Sequence, residues 1–169
     1  LRGLAVADMA RDRHDAPAVL LALSGPTGDV PDPVMMVLEM LWARGSTVVV
    51  AAGNDGEVGS PGADPYLLTV GALDDAGTPD PSDDVVPSWS ARGPSPWGHA
   101  KPDLVAPGVS LVGARAPGST IDTAHPDARV GEHHFRGSGT SMAAAVTAGA
   151  AAILLADQPE LSPDAVKGR

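Results

Sequence analysis

The 169-residue sequence contains no cysteine, which excludes disulfides and thiolate metal sites but leaves the redox compartment open. Positive charge is also scarce: 11 Lys and Arg face 21 Asp and Glu, a formal net charge of −10. Nucleic acids and anionic membranes both require a clustered positive field, so neither is an expected partner. Aromatic residues make up only 3% of the chain, which points to a core of small side chains on closely packed elements. No apolar run approaches the roughly 20 residues that span a bilayer, and no charged segment followed by an apolar signal core opens the chain.

What remains is globular in composition, with 43% hydrophobic and 19% charged residues and a length suited to one domain. Twenty Gly and 17 Pro imply many loops. The chain opens at Leu1 inside an amphipathic pattern without a cap, and it closes on a short helical start, Ala165 to Arg169, after Ser162-Pro163. Both ends read as cut, so the expected unit, residues 1–169, is a partial domain.

Residues 1–14 are predicted helical, with Leu1, Leu4, Ala5 and Met9 on one side, and Ala18 to Leu23 reads as a buried strand. Asp32 is a helix N-cap with Pro33 at the first helical position; Val34, Leu38 and Leu41 recur at helical spacing, and Gly45 ends the helix. Thr47 to Ala52 is apolar on both faces. Strand, helix and strand in that order predict a parallel βαβ unit, and therefore an α/β fold. A further strand is expected over Tyr66–Leu73, a surface loop over 74–100, and an antiparallel ribbon joining Val109–Ala114 to Val130–Phe135. Thr140 to Ala156 is small and apolar on every side, which predicts a central buried helix.

Two segments carry chemistry. Gly137-Ser138-Gly139-Thr140-Ser141-Met142-Ala143 puts Ser141 in the first turn of that helix, where free N–H groups and the positive dipole end can stabilise a developing negative charge. Ala51-Ala52-Gly53-Asn54-Asp55-Gly56 ends a buried parallel strand, at the edge where open α/β sheets place ligands, and the Asn54 amide can donate to an oxyanion there. Taken singly, the first could be an ordinary first-turn serine and the second an ordinary turn. Together they suggest one site.

Val48 to Gly56, Lys101-Pro102-Asp103-Leu104-Val105-Ala106-Pro107-Gly108 and Gly139-Thr140-Ser141-Met142-Ala143 resemble, in order and spacing, three signature blocks of the subtilisin-like serine peptidases, the subtilases. The resemblance implies a three-layer subtilisin-like fold, here its second half, and a serine-type endopeptidase acting on extended polypeptide. Ser141 would be the nucleophile and Asn54 the oxyanion donor. Leu23, Ser24 and Gly25 would pair with substrate, while Ala51, Ala52 and Gly53 would wall the pocket for the residue before the scissile bond. Gly59-Ser60-Pro61-Gly62 resembles a family turn containing a cis proline. The resemblance also implies secretion, no required cofactor, and a structural calcium ion at most; Gly62 and Asp64 lie near a loop that could hold one, but no dense oxygen-ligand pattern supports it.

The sequence departs from the family at several points. Ala144-Ala145-Val146 stands where Ser-Pro-His usually continues the nucleophile block, Leu20 replaces an Asn before the substrate-pairing strand, and Ser24 replaces a Gly. The His-Gly-Thr and Asp-Thr/Ser-Gly motifs that carry the general base and its orienting acid do not occur, and His14, His99, His125, His133 and His134 all lie in polar settings. The expected partner is therefore a missing N-terminal part of the same domain, without which the chain is inactive. An α/β-hydrolase would need a His after Ser141 and has none, and a nucleotide-binding module would need a helix after Gly53. The remaining alternative is a non-catalytic subtilase-like binding or structural module.

Overall fold

The computed structural model describes residues 16–169, so the amphipathic stretch 1–14, including His14, lies outside the described residues. Helix α1 spans Pro33–Ala43, and the Asp32 side chain caps it by accepting from the N–H groups of Val34 and Met35. It ends where Gly45, at φ 91°, turns the chain, a left-handed conformation that glycine adopts without a Cβ clash.

The capped helix joins two parallel strands, β1 (Ala18–Leu21) and β2 (Thr47–Ala51), with Ala18 opposite Thr47 and Leu21 opposite Val50. Parallel β3 (Leu68–Leu73) and β6 (Leu104–Pro107) complete a four-stranded sheet in the order β1-β2-β3-β6. All five residues of β2 are buried, and since successive side chains point to opposite faces, both faces of the sheet are covered there. Leu38, Leu41 and Trp42 of α1 share the principal core with Val48 to Ala51, Val70 and Ala72.

Helix α3 (Thr140–Asp157) packs on all four strands of the sheet. It buries Thr140, Ala143, Ala144, Thr147, Ala151 and Leu155, one stripe at helical spacing, while Val146 and Ile153 stand 43% and 76% exposed. The expected all-round burial is thus corrected: one layer, the sheet, covers the helix. Its 18 residues and mean hydropathy of 1.5 would suffice to cross a bilayer by length and composition, but its small buried stripe is what lets it lie close on the strands. β1 also differs from expectation. It is an edge strand, half-buried, and stops at Leu21, with Leu20 39% and Leu23 52% exposed.

The antiparallel ribbon exists with shifted partners: β7 (Leu111–Ala114) pairs with β9 (His134–Gly137), and β8 (Arg129–Val130) joins on β9's other side. Between them lie the short helix α2 (Thr120–Ala124) and a 3-10 turn at Pro126–Ala128. Asp122 fastens this excursion by accepting from Arg115 Nε at 2.6 Å, Arg129 Nε at 2.8 Å and Gly118 N at 2.9 Å. The stretch 74–100 is only partly a surface loop. Ser90 and Ala91 are fully buried, Ser90 Oγ accepts from Ala72 N at 2.8 Å, and β4 (Gly93–Pro94) pairs with β5 (Ala100–Lys101). A final helix, α4 (Pro163–Lys167), is capped by Ser162.

Candidate active site

The chain crosses from β2 into the Gly53-Asn54 turn at the carboxyl edge of the sheet, where α3 also begins. Asn54 Oδ1 accepts from Thr140 N at 2.9 Å and from Thr140 Oγ1 at 3.0 Å, and Thr140 Oγ1 in turn accepts from Gly53 N at 3.1 Å. Thr140, 1% exposed, thus ties the strand end to the helix start and consumes the oxygen end of the Asn54 amide. The nitrogen end remains for something else. A methyl group built on Gly139 would lie 3.4 Å from Asn54 Nδ2 and 3.8 Å from Ser141 N, so both N–H donors border the same small space.

Ser141 is the second residue of α3, and its hydroxyl donates to the Ala22 carbonyl at 3.3 Å. The structure therefore brings together Asn54, Ser141 and the chain just past β1. Beyond Ala22, Gly25 is paired both ways with Ser60, at 2.8 and 2.9 Å, while the backbone groups of Leu23 and Ser24 have no protein partner among the described residues. Ala51 and Ala52 are buried beneath the Gly53-Asn54 turn. The Ser60-Pro61 bond is cis, as the turn resemblance implied, and so is Lys101-Pro102.

Two perturbed groups belong to the scaffold around the site. The Asp32 carboxyl is raised by burial, but hydrogen bonds from Ser60 Oγ and the N–H groups of Met35 and Val34 outweigh this and leave it below its ordinary range. Burial holds Lys101 down to about 8, against the hydrogen bond and charge of Asp103. Its ammonium donates to Leu67 O, Thr69 Oγ1 and Asp103 Oδ2 at 3.0, 3.0 and 2.8 Å. Lys167 Nζ sits 3.0 Å from the carbonyls of Pro65, Tyr66 and Leu67 and 3.0 Å from Asp103 Oδ1. The carbonyls of Pro65, Tyr66 and Leu67 are thus bound to an ammonium group, and Asp64 Oδ1 accepts from Tyr66 N and Leu67 N.

Two members of this arrangement were not singled out from sequence. For Thr140 the available signal was its place beside Ser141; Ala22 acts through its carbonyl, which no side-chain pattern reports. A further cleft of about 670 Å³ lies at the opposite edge of the sheet between Pro17, Trp42, Gly45 and Pro163 and, apart from the cap Ser162, contains no serine or amide of this kind.

The chain is thus an α/β protein whose parallel sheet gathers a helix-start serine and a strand-end amide at its carboxyl edge. More specifically, the chain belongs to the subtilase family, whose family model matches residues 23–169. It is 46% identical over 140 residues to the serine protease AprX of Bacillus subtilis (strain 168), covering 80% of this chain and 32% of that protein. It is 32% identical over 155 residues to subtilisin DY of Bacillus licheniformis, covering 88% of this chain and 46% of the relative. In fold it is similar to a cold-adapted subtilisin-like serine proteinase, with a TM-score of 0.72 at 24% identity, over 98% of this chain and 51% of the other. The chain thus spans about a third to a half of the length of these relatives.

Proposed function

We propose that this chain supplies the nucleophile, Ser141, and an oxyanion donor, Asn54, of a serine-type endopeptidase that cleaves extended polypeptides through an acyl-enzyme. The observation that carries the reading is the Asn54 amide itself. Its oxygen is fixed to Thr140, so its nitrogen is held, without further reorganisation, beside the Ser141 N–H where a tetrahedral oxyanion would lie. In the reaction Ser141 Oγ bonds to the scissile carbonyl carbon, the carbonyl oxygen takes the negative charge between the two donors, and collapse expels the amine. The unpartnered backbone of Leu23 and Ser24 offers an extended peptide a strand to pair with. Export from the cell belongs to the same reading.

Nucleophilic attack also requires a base for the Ser141 proton. Among the described residues no imidazole bonds to Ser141, whose hydroxyl instead donates to Ala22 O, a geometry that leaves the oxygen un-ionised. On this reading the chain by itself is inactive, and a longer polypeptide that adds a His and its orienting carboxylate is the competent enzyme. The test is hydrolysis of a chromogenic peptide by the chain alone and by the chain joined to an upstream segment bearing both groups, each with and without Ser141→Ala. The joined protein is expected to turn over in a Ser141-dependent manner and to lose about 10²–10³ in kcat on Asn54→Ala, a magnitude established on a subtilisin and not worked from this structure. Ser141-independent turnover would refute the reading, and turnover by the chain alone would refute the inactivity.

A further inference from the structure

We propose, resting on the peptidase reading, that Ser24 sets specificity by closing the slot through which the side chain before the scissile bond would enter, so that this position takes a small side chain. The slot is defined by two segments. One leaves β1 through Ala22, whose carbonyl holds Ser141 Oγ, and the other leaves β2 through Gly53 and Asn54 beside the start of α3. A peptide paired along Leu23 and Ser24, with its carbonyl at Ser141, directs that side chain between them. Ser24 already stands there. A Cβ built on Gly53 would lie 2.9 Å from Ser24 Oγ, and one built on Gly59 would lie 2.6 Å from it, so the hydroxyl packs directly on the backbone of both glycines.

The slot cannot widen by splaying, because the reciprocal Gly25–Ser60 hydrogen bonds, 2.8 and 2.9 Å, pin its far end, and a Cβ on Gly59 would meet Gly25 O at 2.3 Å. Ser24 also lines a cleft of about 400 Å³ together with Thr27, Asp55, Glu57, Val58 and Gly59 among others. Its hydroxymethyl group, packed against Gly53 and Gly59, narrows a space otherwise large enough for a long side chain. Removing the hydroxymethyl group opens that space, and the carboxylates of Asp55 and Glu57 on its wall favour a cationic occupant.

The experiment uses the competent protein of the proposed function, the chain joined to an upstream segment bearing a His and its orienting carboxylate, and titrates it by calorimetry with acyl-tripeptide boronic acids that differ only in the side chain next to boron, namely methyl, benzyl or aminobutyl. Wild type is expected to bind the methyl compound at least about tenfold more tightly than the benzyl, within the range that pocket size alone supports. Ser24→Gly should reduce that ratio to about threefold or less and improve aminobutyl binding most, and Ser24→Val should weaken even the methyl compound. Equal discrimination in wild type and both variants, with binding still lost in Ser141→Ala, overturns the role of Ser24 alone. Binding that survives Ser141→Ala unchanged overturns the peptidase reading beneath it.

Discussion

The Asn54 side chain joins two tasks that a pair of substitutions can separate. Its oxygen accepts two hydrogen bonds from Thr140, one from a backbone N–H in the first turn of α3 and one from a hydroxyl, while its nitrogen borders the space beside the Ser141 N–H. Asn54→Ala removes this acceptor and with it both hydrogen bonds. Each such bond contributes roughly 0.5–1.5 kcal/mol net, and because Asn54 is itself exposed the lower part of that range applies, so the expected loss is about 1–2 kcal/mol. For a domain of this length that lowers Tm by about 2–8 °C. Asn54→Asp keeps the acceptor and both hydrogen bonds and adds a negative charge at a helix N-terminus, worth about 0.3–1 kcal/mol in favour of the fold, so its stability is expected to match wild type or exceed it by up to about 1 kcal/mol. Both variants lose the outward donor, and in the activated protein both should lose hydrolysis. Urea unfolding of the two purified variants reads the first axis and peptide hydrolysis the second. An Asn54→Asp protein as destabilised as Asn54→Ala, or an Asn54→Ala protein as stable as wild type, would refute the anchoring role of the oxygen.

Asp103→Ala strips the carboxylate from the buried Lys101 ammonium, whose side chain is 1% exposed, and should cost about 3–5 kcal/mol in chemical denaturation at neutral pH, with Lys101→Met in the same background restoring much of it. Since Lys101 titrates near 8 in the fold and at 10.5 in the unfolded chain, the folded state sheds its proton first, and wild-type stability should gain a contribution from this group as pH rises from about 8 to 10.5; a loss across that window attributable to Lys101 would contradict its burial. Gly108→Ala would place a methyl 2.8 Å from Ala72 Cβ and 3.1 Å from Ala143 Cβ, and should destabilise by about 1–3 kcal/mol as α3 is pushed off the sheet; wild-type stability would show that helix to be loosely seated. The Arg115 guanidinium, with the Gly118 N–H and Arg129, holds the Asp122 carboxyl well below its ordinary range, so its contribution is complete above about pH 4 and is lost at lower pH. Amide resonances of residues 115–130 should therefore shift at a lower pH than an unrestrained carboxylate would produce, and Asp122→Asn should abolish that transition.

Much of this architecture was legible because single residues carried unambiguous signals. Asp32 before Pro33, the apolar run Thr47–Ala52 and the glycine at 45 each have one inexpensive structural meaning, and each appears as read. Composition could not report burial, because it sees side chains and not their neighbours. α3 is apolar all round yet buries one stripe, and Ala18–Leu23 reads as a core strand yet forms the half-buried β1 at the sheet edge. Ribbon register slipped because β7 and β9 are short and carry little alternation, so their sequence pattern does not fix which residues pair. At the candidate site the side chains Asn54 and Ser141 were readable. The Ala22 carbonyl was not, and neither was the division of the Asn54 amide into an inward oxygen and an outward nitrogen, which exists only once strand end and helix start meet.

The two-ended use of that amide has a thermodynamic corollary. Any anion that binds at Nδ2 and the Ser141 N–H polarises the same amide whose oxygen fastens Thr140, so ligand binding and fraying of the first turn of α3 are linked equilibria. A ligand that strengthens the helix start must, by the same free energy, bind more weakly to any variant in which that start is loosened. The helix terminus is therefore a reporter of occupancy: slowed amide exchange at Met142 and Ala143 would register an anion at the site even in a protein that performs no chemistry, and distant substitutions beneath Thr140 would register as weakened affinity.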